Sequence, residues 1–105
     1  MTNDNMSEMN VRLLRITTGE EVLADVVSET EDTITVQNAL VVLPTAQQVG
    51  FAPWATVIDK DQPEIPVRKQ FIVYNIPADP GVVDRYEEMF GVKKIIKPEE
   101  KKLIL

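Results

Sequence analysis

The sequence predicts an all-β small open barrel of five strongly bent antiparallel strands, with an added C-terminal helix. Three observations carry this expectation. Residues 11–43 form three consecutive apolar-rich runs separated by two short polar connections. Two further β-branched and aromatic runs follow, at 49–58 and 67–76. After Ile76 the hydrophobic period changes from that of a strand to that of a helix.

Residues 1–10 are polar and show no periodicity; they read as a flexible leader or as a short helix over residues 4–9. The first strand spans residues 11–17, with Val11, Leu13, Leu14 and Ile16 as its apolar side chains. Thr18-Gly19 is a turn signal, because glycine supplies a positive φ at no steric cost. The second strand, residues 20–27, places Val22, Ala24 and Val26 on one face and Leu23, Asp25 and Val27 on the other. Both faces are largely apolar, so burial on both sides is expected. The small Ala24 at its centre permits a sharp bend.

Residues 28–32 form a short acidic connection. The third strand, 33–43, points Ile34 and Val36 inward and Thr33, Thr35 and Gln37 outward, then becomes continuously apolar. Pro44 ends it by removing a ladder donor. The fourth strand is expected over 49–58, with a bulge or an edge at Pro53, which has no N–H. A two-proline loop leads to the fifth strand, 67–76. Asp79 then offers an N-cap, and Pro80 takes the first helical position, where a missing N–H costs nothing. Val82, Val83, Tyr86, Met89 and Phe90 make one apolar stripe, and Gly91 marks the stop. The domain organisation is therefore a leader at 1–10, a barrel with its helix at 11–91, and a basic tail at 92–105. The tail carries five lysines and two glutamates, and reads as a solvated end or as a segment that adds a strand to a partner.

Composition narrows the functions. The 105 residues contain no cysteine and no histidine, which removes thiolate chemistry, the commonest general base and the commonest zinc ligand. No serine or threonine has a visible base, and no glycine-rich loop cradles phosphate. The expectation is a non-enzyme without catalytic residues, cofactor or metal. The acidic group at Glu29, Glu31 and Asp32 offers oxygen ligands to a hard cation, and the group at Asp59, Asp61 and Glu64 resembles a fragment of a calcium loop but lacks its spacing and glycine; surface charge is the bland reading. Net charge is −6, with two arginines against eight acids in residues 1–50 and nine charges of each sign in 51–105. An acidic whole disfavours non-specific polyanion binding, so any basic patch belongs to the second half. No stretch has the length and apolarity of a membrane span, and the expected location is cytoplasmic.

The pattern of residues 11–43 resembles the first motif of the Sm-like (LSm) family. Gly19 stands at the family's turn glycine, Ala24 where a second glycine marks the bend, Glu31 or Asp32 at the acidic turn, and Ile34 at the apolar position after it. Phe71-Ile72-Val73 matches the approach to the second motif. The resemblance covers residues 11–76 and implies a homo-oligomeric ring. In that family the fourth strand of one subunit pairs with the fifth strand of the next. The interface residues it implies are Phe51, Trp54, Phe71 and Val73; filling the subunit's own core is the other role open to these aromatic side chains. The sequence departs from the family where Thr35 replaces the RNA-contacting asparagine and Tyr74-Asn75 replaces an Arg-Gly pair.

Two functions follow as expectations. The first is binding of RNA or single-stranded nucleic acid through Arg68, Lys69, Tyr74, Asn75 and Thr35, with cations for phosphate and a ring for stacking. The second is a non-catalytic scaffold or adaptor that engages a protein partner through the C-terminal helix or tail.

Overall fold

The computed structural model describes residues 9–91. The tail and all of the leader except Met9 and Asn10 lie outside the described residues. The chain divides into two compact units, a sheet unit Asn10–Ala78 and a unit holding the helix.

The sheet unit contains six antiparallel strands: β1 Val11–Ile16, β2 Glu21–Glu29, β3 Thr33–Pro44, β4 Val49–Pro53, β5 Ile65–Arg68 and β6 Ile72–Pro77. They hydrogen-bond in the order β4-β3-β2-β1-β6, and β5 pairs with β3 off this path. β2 occupies one edge of the long strand β3. The opposite edge is shared: residues 33–36 pair with β5, and residues 40–44 pair with β4. Among the described residues β6 pairs only with β1 and β5 only with β3, so the sheet does not close on itself.

The first three strands stand where the alternation puts them. Gly19 has φ +108°, and the turn it makes is closed by its N–H donating to Ile16 O at 2.8 Å. Ile34 and Val36 are buried, while Thr33, Thr35 and Gln37 are half-buried on the other face. Leu23 and Asp25 are also buried, so β2 is covered on both faces. The Asp25 carboxylate accepts from Asn10 N and from Gln37 Nε2, both at 2.9 Å, which meets the requirement that a buried polar group be hydrogen-bonded.

The expected bend at Ala24 is a change of register. Leu23 faces Leu40 and Asp25 faces Gln37, so one residue of β2 opposes two of β3, Asn38 and Ala39. Asn38 absorbs the extra length with φ +53°, a left-handed conformation that asparagine tolerates better than most side chains. The core beneath this bend is Leu14, Ile16, Val22, Ala24, Ile34, Val36, Ala39 and Val67, with Val26, Trp54, Ile65 and Ile72 packed against it.

Two expectations are corrected. The fourth strand stops at Pro53 instead of running to residue 58, because the chain turns there and Trp54 packs against the core. The fifth is not one strand: β5 ends at Arg68, a single 3-10 turn spans Lys69–Phe71, and β6 begins at Ile72. The break follows from the pairing, since the first half must follow β3 and the second half β1. The sheet therefore has six strands, not five.

The helix α1, Pro80–Phe90, starts where Asp79 Oδ2 accepts from Gly81 N at 3.0 Å and Val82 N at 3.3 Å. Tyr86 is fully buried and its ring lies 4.8 Å from that of Phe90. Gly91 ends the helix; a Cβ there would collide with Glu87 O, so the position admits only glycine without a backbone shift. No helix among the described residues is long and apolar enough to cross a membrane.

Candidate nucleic-acid interface

Three of the five residues expected to contact nucleic acid are brought to one place. Lys69, Tyr74 and Asn75 line a shallow concavity of about 310 Å³, together with Glu29, Ile34, Ile72 and Val73. Its walls are the end of β2, the start of β3, the 3-10 turn and β6. It thus opens where the sheet fails to close.

Each of the three side chains is held by a partner. Lys69 Nζ lies 2.7 Å from Glu29 Oε2, and its backbone N–H donates to Asp32 O at 2.8 Å. The concavity's ammonium is therefore matched by a carboxylate on its own rim. Tyr74 sits opposite Arg15 on β1, and Arg15 sits opposite Glu21 on β2, so the three form one row across the sheet. The Tyr74 hydroxyl donates to Glu21 Oε2 at 2.5 Å, Arg15 Nη2 lies 3.4 Å from the same oxygen, and the guanidinium carbon stands 5.6 Å from the ring centroid. Asn75 Oδ1 accepts from Arg12 Nε at 2.7 Å, and Asn75 O accepts from Arg12 Nη2 at 3.0 Å.

Arg68 and Thr35 do not line the concavity. Arg68 is exposed at the end of β5, opposite Thr33, and has no ion pair among the described residues. Thr35 is half-buried in β3 between Ser28 and Pro66.

The residues implied as an interface are spread over the unit. Phe51 is half-buried on β4 opposite Val42. Trp54 packs against the core, and its N–H donates to Ala39 O at 3.0 Å. Phe71 and Val73 are 47% and 62% exposed. Val73 is a bulge: Tyr74 faces Arg15 and Ile72 faces Ile16, which leaves Val73 as the extra residue of β6.

The residues missed from the sequence are the ones that fix the others: Arg12, Arg15 and Glu21. The pair Arg15 and Glu21 was accessible, because a tight hairpin at Thr18-Gly19, centred on Thr18, sets them opposite each other. Arg12 and Asn75 are 63 residues apart, and no local pattern joins them. Among the described residues no three acidic side chains converge as a metal site; Asp59 Oδ1 instead caps its own turn, accepting from Asp61 N at 2.9 Å. No protein-family model matches the chain, and no curated protein is significantly similar to it.

Proposed function

We propose that the chain is a divergent Sm-like open barrel that assembles into a homo-oligomeric ring and binds RNA, or single-stranded nucleic acid generally, without turnover and in the cytoplasm. The observation that carries the reading is the grouping of Lys69, Tyr74 and Asn75 around one concavity beside the exposed Arg68. A cation, a ring with an apolar surround and an amide are the elements with which single strands are held. Repetition around a ring multiplies a thin patch into appreciable avidity. The ring is supported by β4 and by β5 and β6, the two halves of the expected fifth strand, each with one strand partner among the described residues and so with an edge to offer. Phe71 and Val73 are exposed at the β6 side.

Fluorescence anisotropy with short U-rich and A-rich oligonucleotides, repeated across salt concentrations, tests the binding. The expected result is salt-dependent binding that Tyr74→Ala weakens by about 1–3 kcal/mol per stacked base. Absence of binding at low salt overturns it. Native mass spectrometry tests the ring, and a strict monomer overturns that part.

One observation favours a second reading, the protein scaffold. Glu29 already neutralises Lys69, and a carboxylate on the rim repels phosphate. Under this reading oligonucleotides do not bind, and Glu29→Gln does not restore binding.

A further inference from the structure

The ion pair on the rim of the concavity is a poor phosphate site. Glu29 Oε2 cancels the charge of Lys69 at 2.7 Å and sets a carboxylate against an incoming anion. Its hydrogen-bonding capacity is another matter. An ammonium has three donors, and a carboxylate accepts at about four lone-pair positions on its two oxygens. The contact between Lys69 Nζ and Glu29 Oε2 uses one of each, and neither side chain has another partner among the described residues. The two heads thus present a donor, Nζ, then two acceptors, Oε2 and Oε1. The side chains are 34% and 54% exposed, so a ligand can reach both.

A second observation fixes the amide of Asn75. A guanidinium only donates, so the atom of Asn75 that stands 2.7 Å from Arg12 Nε is the oxygen. The amide nitrogen is then turned away from Arg12, and no acceptor for it stands among the described residues. Asn75 lines the same concavity, which therefore holds a donor of fixed orientation with nothing to bond. The other lining includes Ile34, Ile72 and Val73. Ile34 belongs to the core and Ile72 packs against it, so the apolar floor is held in place. A volume of about 310 Å³ accommodates one flat heterocycle. A mostly apolar hollow with a few placed polar groups is the usual form of a small-ligand site.

We propose that the concavity is a guanine pocket. The proposal rests on the nucleic-acid reading above and names the base which that reading leaves open. The Watson–Crick edge of guanine carries O6, N1–H and N2–H in a row, one acceptor and then two donors. That row is the complement of Nζ, Oε2 and Oε1. Lys69 donates to O6, and the two oxygens of Glu29 accept from N1–H and N2–H. The other bases satisfy at most two of the three groups. Uracil carries an acceptor, O2, where guanine has its second donor, and sets it against the carboxylate. Adenine and cytosine place a donor where O6 stands and have none at the position of N2. The locked Asn75 amide suits N7, the acceptor that a purine carries on its other edge. A neutralised lysine is thus a reader of a base and not a clamp for a phosphate.

The test is fluorescence anisotropy on the full chain with a short U-rich RNA and the same strand carrying one guanosine or one inosine. Inosine keeps O6 and N1–H and lacks only the 2-amino group. The guanosine strand is expected to bind at least about fivefold tighter than the uridine-only strand, with inosine between them. Glu29→Gln turns one acceptor into a donor. It is expected to remove the guanosine preference and, by lifting the repulsion of phosphate, to tighten binding of the uridine-only strand. A residue acting only through the fold would move both strands in one direction. Equal binding of all three strands overturns the guanine pocket and leaves the nucleic-acid reading standing. A guanosine preference undiminished in Glu29→Gln does the same. Absence of binding to every strand at low salt overturns both. Should Glu29→Gln fail to fold, the inosine comparison on the wild-type chain carries the test.

Discussion

The two hairpins that share β3 differ in their surroundings and not in how their turns are made. At the start of β3, Thr30 N donates to Thr33 O at 2.8 Å, and Thr33 N donates back to Thr30 Oγ1 at 3.2 Å. At its end, Thr45 N donates to Gln48 O at 2.9 Å, and Gln48 N donates to Thr45 Oγ1 at 3.0 Å. The same threonine device closes both. Around the first turn stand Glu29, Glu31 and Asp32, with Lys69 bound to Glu29. The second has no charged residue of its own; the charges nearest it, Arg15, Glu20 and Glu21, belong to the β1–β2 hairpin and share a concavity with Leu43 and Pro44. Turn formation at either end therefore does not depend on charge. The neutrality of the second hairpin is a property of its surface.

The sharpest way to break this comparison is to truncate an apolar side chain at each end of β3. Ile34 is 3% exposed in the core and Leu43 is 45% exposed. Ile34→Ala is expected to cost about 2–5 kcal/mol in urea denaturation. Leu43→Ala, read at concentrations where the chain is monomeric, should stay within about 0.5 kcal/mol. Equal costs would mean that the hairpin end is packed as tightly as the core.

Asn38 lies between the two ends and sets the angle at which they part. Asn38→Val places a β-branched residue at φ +53° and is expected to cost about 1–2 kcal/mol by thermal melting. Asn38→Gly should cost less than Asn38→Val; the reverse order would show that the left-handed backbone is not what the position demands.

The smallest effect belongs to the ion pair. Both partners are substantially exposed, so a double-mutant cycle of Glu29→Gln and Lys69→Met should give a coupling of only about 0.2–1 kcal/mol, screened out near 1 M salt. Gln47→Ala and Gln48→Ala in the neutral hairpin should show no comparable salt dependence. A salt-dependent effect there would remove the contrast between the two turns.

Much of the first hairpin was legible in the sequence, because alternation, Gly19 and the acidic turn are local signals. The burial of Ile34 and Val36, and the two covered faces of β2, followed from period two alone. The break at Lys69–Phe71 was not legible. No glycine or proline marks it, and the apolar alternation of Phe71, Ile72 and Val73 runs on through it. That turn is imposed by two ladders pulling on one segment, β3 before it and β1 after it. The end of β4 was half-legible: Pro53 signalled an irregularity, but that Trp54 would turn to the core depends on a core assembled from strands distant in sequence. At the candidate site the residue types were readable and their restraints were not. Tyr74 meets Glu21 across 53 residues of sequence, and only the strand order puts β6 beside β1 and β1 beside β2.

Trp54 is the only tryptophan in the chain. It packs against the core directly after β4, its backbone N–H donating to Ala39 O. The protein therefore carries a built-in fluorophore at the root of the neutral hairpin. Its emission should shift to the red when the core opens, and report on the hairpin's seating without any attached label. Excitation at the red edge of the tryptophan band isolates this one indole from the two tyrosines, so unfolding, hairpin detachment and self-association can be followed in a single optical titration.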